Sequence, residues 1–252
     1  MSSVLTVART ESRRIFVSPL AWTVLAALQL VLGFVFWISL LGFAKSQMFG
    51  GDENVGVTDY IVSGTLVGFP PIVMLLIMPL LTMRLLADER RSGTITLLLS
   101  SPLSLTELVL GKFLGVLSFV AAVIFLLALM AFSLEPATHY MLDTGRIVAG
   151  LLGLFLMLSA FAAAGLFVSS LTREPVIAAV LSLVLLLMVW LIQIPANIEG
   201  MPLPELWKYL ALMSHFESLR RGVFNSADVA YYLLFIALFL WATVQRLDIE
   251  RS

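Results

Sequence analysis

The chain is 252 residues long, 60% hydrophobic and only 12% charged, with a mean hydropathy of +1.04. A soluble domain carries about 25% charged residues, so this composition belongs to an integral membrane protein. The absence of cysteine excludes disulfides and thiolate metal sites, and the net charge of -1 argues against a nucleic-acid partner.

The first element is an amphipathic helix over residues 1–18. Leu5, Ala8, Ser12, Ile15 and Phe16 fall near one face while Arg9, Glu11 and Arg13 fall elsewhere, the pattern of a helix lying in the inner interface with its apolar side down. Ser18-Pro19 then turns the chain into the first span. Ser12-Arg13-Arg14-Ile15-Phe16-Val17 also looks like a twin-arginine export signal. Against that, the apolar run after it is too long for a signal core, no small-x-small cleavage site follows, and five more apolar segments come after.

A hydrocarbon core of roughly 30 Å needs about 20 apolar residues as helix. Six segments meet or approach that length: Ala21 to Phe43, Ile61 to Leu86, Leu108 to Phe132, Ile147 to Leu171, Val176 to Ile194 and Val229 to Val244. They are continuously apolar rather than alternating, which argues for helices and against a barrel. With both termini cytoplasmic, ten Lys and Arg fall inside and five outside, in line with the positive-inside rule.

Phe69-Pro70-Pro71 and Pro79 break the regularity of the second span and mark it as a candidate wall of a substrate path. Phe69, Met74, Met78, Trp190 and Gln193 are candidate lining residues, with packing or lipid contact as the plainer reading of the methionines and tryptophan. Ser159, Ala162, Ala163, Gly165 and Ser169 in the fourth span read as close helix packing.

Between the second and third spans lies Arg84-Leu-Leu-Ala-Asp88-Glu89-Arg90-Arg91-Ser92-Gly93-Thr94. A charge at the bilayer centre costs about 2.5 to 3.5 kcal/mol, so five ionised groups together must sit in water or headgroups. Ser92 is placed to cap a short helix through Ile95 to Leu99, which Ser101-Pro102 ends. Ser104-Leu-Thr-Glu107 reads as a capping box for the third span, with Leu103 and Leu108 as its hydrophobic staple. Spacing alone fits both a stiff helix presented to a partner and a tidy re-entry turn.

The span interiors carry no Asp, Glu, His or Arg, which disfavours an ion-coupled carrier. Gly111-Lys112 lacks the earlier glycine and the following Ser or Thr of a P-loop, so the chain has no nucleotide-binding motif of that kind. No cofactor or metal is expected on it. Ser63-Gly64-Thr65 has no histidine mate in the membrane, and His139 and His215 fall outside the spans. His215 is better read as orienting a helix than as a metal ligand.

Pro202 to Gly222 is too polar to cross and fits a helix that dips in and returns. Pro204 stands in its first turn, Gly222 at its C-cap, and Leu206, Leu210, Met213 and Leu219 to one side. Ser226 is placed to cap the last span, with Asp228 near its N-terminus.

The stretches Arg84 to Thr94, Leu97 to Pro102, Glu107 to Lys112 and His215 to Tyr232 resemble the permease subunits of ABC-2 type ABC transporters. The run His215-Phe216-Glu217, Arg221-Gly222-Val223-Phe224, Asp228 and Tyr231 is similar to the gliding-motility-associated subfamily, from which Asn225 and Thr96 depart where acidic residues are common. The resemblance implies an all-α fold of six transmembrane helices with an N-terminal interfacial helix, a coupling helix in the 87–107 loop and a re-entrant segment over 195–227. It also implies a bacterial inner-membrane location. Two copies would pair on two ABC ATPase subunits that bind ATP and Mg, with a further membrane subunit carrying a periplasmic domain as another partner. Glu89, Arg90 and Arg91 are then expected to make polar contacts to the ATPase or to the interfacial helix. Leu97, Leu98 and Pro102 would make the packed contact, Gly93 would allow close approach of the backbone, and Thr94 completes the loop pattern. The function so implied is a permease, with export preferred. A membrane scaffold that recruits cytosolic machinery without moving solute fits the same loop, and a stand-alone channel fits less well, because no charged ring lines a span.

Overall fold

The computed structural model describes residues 3–48, 56–95, 103–134, 142–196, 198 and 202–251, and among them the chain is helical throughout with no strand. Helix α1 (Ser3–Val17) leads through Ser18 into α2 (Pro19–Met48), the first span. Span 2 is composite: a π-helical segment (Thr58–Val67), α3 (Pro70–Thr82), a turn, and the short α4 (Ala87–Arg91). Spans 3, 4 and 5 are α5 (Leu105–Phe132), α6 (Thr144–Ser169) and α7 (Pro175–Leu191). A broken segment of α8 (Gln193–Ala196), α9 (Pro204–Leu210) and α10 (Leu212–Arg220) precedes α11 (Ser226–Arg251), the sixth span.

Span 4 is the axis of the bundle: 83% of its apolar stretch is buried, against 17% for spans 1 and 6. Its small residues explain this. Gly150, Gly153 and Gly165 take Val67, Leu219 and Thr82 so closely that a Cβ would lie 3.3, 2.8 and 2.2 Å from them. Ser159, Ala162, Ala163 and Ser169 are buried along the same helix. In an apolar solvent helices associate through such packing rather than through hydrophobic burial. Spans 2, 3, 5 and 6 and α10 all pack on this helix.

Prolines set the shape of span 2. Pro70 and Pro71 have no N–H to give to the preceding turn, and the chain before them widens into the π segment. A second break follows α3, where Leu86 N and Ala87 N donate to Ser169 Oγ at 3.1 Å and that hydroxyl donates to Met83 O at 3.0 Å. Span 4 thereby supplies the bonds that the interrupted helix cannot make for itself, as buried backbone in a membrane requires.

The capping box at Ser104 forms as the spacing predicts. Glu107 N donates to Ser104 Oγ at 3.2 Å and Ser104 N to Glu107 Oε2 at 3.0 Å. Other local expectations are corrected. Ser92 closes the preceding α4 rather than opening a helix, since its hydroxyl donates back to Asp88 O at 2.8 Å. Gly93, at φ +75° with open space around it, serves as the left-handed residue that ends α4. Asn225, not Ser226, caps the sixth span: Ala227 N donates to its Oδ1 at 3.0 Å. The predicted helix at Ile95 to Leu99 extends beyond the described residues.

A side chain at Gly165 has to displace Thr82. Gly165→Ala is expected to lower stability by about 1–3 kcal/mol, read as an earlier unfolding midpoint in detergent, with part of the loss recovered in Gly165→Ala/Thr82→Ala.

Candidate functional site: buried ion pairs at the loop end

Helix α1, the end of α11 and the 84–95 loop lie at one end of the bundle, where Arg90 meets Glu250 and Glu11 meets Lys112. There α1 docks along the start of span 3. Gly111 and Gly115 make the approach possible, because a Cβ on either would fall 2.6 Å from Val7 or 2.5 Å from Glu11. The inward face of α1 is consequently Ala8 and Glu11, while Leu5 is exposed.

Lys112, one residue along from Gly111, is 1% exposed. Its Nζ donates to Glu11 Oε1 at 2.7 Å and to Glu89 Oε1 at 2.5 Å, so one buried ammonium ties α1 and the loop to span 3. Arg14 lies 3.7 to 4.0 Å from Asp88, Glu89 and Glu11 and balances the second carboxylate of the group. An ammonium and two carboxylates at this depth persist only because each is paired.

Arg90 points the other way. Its buried guanidinium donates to Glu250 of α11 at 2.5 Å, and Arg246 lies 3.6 Å from the same carboxylate. Arg91 is exposed, 3.7 Å from Glu174 at the start of α7. Three successive loop residues thus reach α1 and span 3, span 6, and span 5. Glu89 Oε2 and Arg90 Nε and Nη2 are buried without hydrogen-bond partners, which makes the network less than fully satisfied.

The remaining predicted residues are placed as follows. Thr94 is exposed, its hydroxyl 2.9 Å from that of Ser92, while Leu97, Leu98 and Pro102 lie outside the described residues. Met74 and Met78 are fully buried between helices, and Phe69, Trp190 and Gln193 are half-buried. The sequence reading missed Lys112 and Glu11. Lys112 stands inside Gly111-x-x-x-Gly115, a close-packing signature that marks a helix face where a charge needs a partner from the next helix.

The opposite end is organised around a break. The expected single helix over 204–222 is two, α9 and α10, interrupted at Ala211. The last carbonyls of α9 are taken up by side chains, Tyr209 O by His215 Nε2 at 2.9 Å and Leu210 O by the Tyr231 hydroxyl at 2.8 Å, while the Tyr232 hydroxyl donates to Leu212 O in the first turn of α10 at 2.8 Å. His215 Nδ1 is 2.6 Å from Asp228 Oδ1 and the ring stacks on Tyr231 at 4.1 Å, so the histidine orients the helix pair against span 6. Gly222, at φ +83°, ends α10 with Val223 N donating to Ser218 O.

Arg220 crosses from α10 to the π segment and donates to Ser63 O at 2.8 Å, while Arg146 donates to Asp59 at 2.8 Å. Glu217 accepts from Arg220 at 2.5 and 2.8 Å, and that bond holds its carboxyl below the ordinary carboxylate range despite burial; the same bond raises Arg220.

Two outcomes follow from these contacts. Lys112→Met leaves Glu11 and Glu89 buried without their cation and is expected to cost about 3–5 kcal/mol of stability, whereas adding Glu11→Gln and Glu89→Gln to it recovers most of the loss, as measured by unfolding in detergent. Glu217, depressed in the folded state, stabilises the protein above the ordinary carboxylate value of about 4.3 and loses that contribution as pH falls through its folded value. The unfolding midpoint of Glu217→Gln is therefore expected to fall less steeply than that of the parent on acidification below about pH 4.

Comparison with known proteins agrees with this architecture. A search of curated proteins finds no match to the chain. A family model described as "ABC-2 family transporter protein" matches residues 5–245, which takes in all six spans from start to near end and both polar ends of the bundle. The chain belongs to the ABC-2 transporter family and is one of its multi-pass membrane components.

Proposed function

We propose that the chain is the permease subunit of an ATP-binding cassette exporter in a bacterial inner membrane, with both termini cytoplasmic. Two copies pair on two ABC ATPase subunits, which bind the ATP and Mg. The observation that carries this reading is the wiring of the loop: Glu89, Arg90 and Arg91 reach α1, span 3, span 6 and span 5 through ion pairs, several of them buried. A buried pair is costly to break, so a push on the loop moves those helices together rather than bending the loop alone. Family members work with an ABC ATPase, and a loop anchored in this way is what such a partner needs to press upon.

In this reading Thr94, Leu97, Leu98 and Pro102 meet the ATPase, while the charged residues behind them transmit the displacement. Gly93 lets the chain turn out of α4 toward the partner. Spans 2 and 5 pack against one another, and a path lined by Phe69, Met74, Met78, Trp190 and Gln193 opens when that seam parts. The interrupted backbone of span 2 supports such movement, since a helix with breaks on both sides of α3 bends at defined places. The likeness of the His215 to Tyr231 region to gliding-motility-associated permeases supports membership of that subfamily, together with a further membrane subunit bearing a periplasmic domain.

Co-reconstitution with its ATPase tests this. Hydrolysis that depends on the permease is expected to fall about tenfold in Leu98→Asp and in Glu89→Ala, equivalent to about 1.4 kcal/mol, with solute movement falling in parallel. Unaltered hydrolysis in both variants with the ATPase still bound would overturn the loop assignment, and permease-dependent hydrolysis without solute movement would instead identify a scaffold.

A further inference from the structure

His215 is buried at the end of the bundle opposite the loop, and both of its ring nitrogens face acceptors. Nε2 lies 2.9 Å from Tyr209 O, and a carbonyl oxygen only accepts, so that nitrogen carries a proton. Nδ1 lies 2.6 Å from Asp228 Oδ1, too close for a bare nitrogen to face a bare carboxylate oxygen. A proton therefore sits between these two atoms as well. A neutral imidazole supplies only one N–H.

The surroundings place the second proton on the ring. Asp228 stands in the first turn of span 6, behind the Asn225 cap, where the helix end favours a carboxylate. Its side chain is 9% exposed and its Oδ2 is buried without a hydrogen-bond partner, and among the described residues His215 is the one cation paired with it. The ring lies flat on Tyr231, centroids 4.1 Å apart, and an aromatic face attracts a positive charge above it. The other charges on the elements packed around α10 are engaged or exposed. Arg146 is bonded to Asp59, and Glu217 to Arg220 and Arg221. Asp143 at the start of α6 and Glu205 and Lys208 of α9 are exposed, while the Tyr231 and Tyr232 hydroxyls are spent on carbonyls.

Helix α9 depends on this ring. None of residues 205–210 is buried, and among the described residues two side-chain hydrogen bonds tie α9 to other helices, from His215 to Tyr209 O and from Tyr231 to Leu210 O. An element with so few buried contacts is among the first to open. We infer that His215 is a proton-binding site that latches α9 to span 6: the doubly protonated ring holds Tyr209 O and Asp228 together, and loss of one proton to water frees Tyr209 O. The proton that stays is the one facing Asp228, because a bond to a carboxylate is stronger than one to a carbonyl. The bare Nε2 then meets the carbonyl oxygen lone pair against lone pair. The docked form binds one proton more than the freed form, so docking strengthens as pH falls and weakens as pH rises through the titration of the ring. This site stands independently of the ATPase reading.

The full chain in detergent, carrying isotope-labelled histidine, is followed by ring-nitrogen NMR and by hydrogen exchange of the 204–211 amides between about pH 5.5 and 8.5. His139 is the other histidine of the chain, and His139→Gln isolates the His215 signal. Both ring nitrogens are expected to be protonated wherever α9 is protected. Protection, corrected for the intrinsic exchange rate, falls about tenfold as the ring passes to a single proton, the loss of one charge-assisted hydrogen bond. His139→Gln keeps this pH dependence and His215→Gln abolishes it. A singly protonated ring while α9 stays protected, or protection that ignores the titration of the ring, overturns the proposal. So does a pH dependence that survives unchanged in His215→Gln.

Discussion

An ammonium group buried between two carboxylates governs the loop end of this molecule. Lys112 belongs to span 3, Glu11 to α1 and Glu89 to the end of span 2, so a single cation decides the relative position of three elements that are distant in the chain. None of the three is stable at that depth alone, because an isolated charge in a low-dielectric interior has lost its water without recompense. The geometry is consequently linked: α1 docks on span 3 with its glutamate inward, onto a lysine that Glu89 holds from the other side. Gly111 and Gly115 are the steric counterpart of that electrostatic demand, since only glycine leaves α1 close enough for Glu11 to reach.

The two ends of the bundle solve related problems by different means. At the loop end charges are neutralised by charges, with Arg90 and Glu250 repeating the pattern on span 6. At the opposite end the backbone is the difficulty, because the π segment and the break at Ala211 leave carbonyls without helical donors. Arg220, His215 and Tyr231 supply those donors from neighbouring elements. The consequence is that irregular backbone stays at membrane depth only where another helix satisfies it. For a permease this matters, since the interrupted places are also the places where a helix bends.

Membership of the ABC-2 family and the anchoring of the loop point in the same direction. In the proposed reading, a loop tied to span 3, span 5, span 6 and α1 acts as the end of a lever rather than as a free connector. Arg14 occupies a shared position, facing both the loop carboxylates and the slot between α1, span 1 and span 2.

Much of this was legible in the chain itself. Continuous apolar length fixed six spans and the helical class, because the bilayer leaves few other ways to satisfy a backbone. The capping box at Ser104 to Glu107 and the proline breaks at Pro70 and Pro71 were local chemistry and read correctly from spacing. Partnership was not legible. Glu11 looked like a solvated charge, Lys112 like an interfacial one, and residues 204–222 like one helix, since nothing in local periodicity shows that a lysine more than a hundred positions away buries the glutamate, or that tyrosines of span 6 hold the break open. Local sequence determines which backbone each segment adopts; which buried charge or carbonyl finds which partner is settled only when distant helices pack, because the penalty for leaving it unpaired arises only on burial.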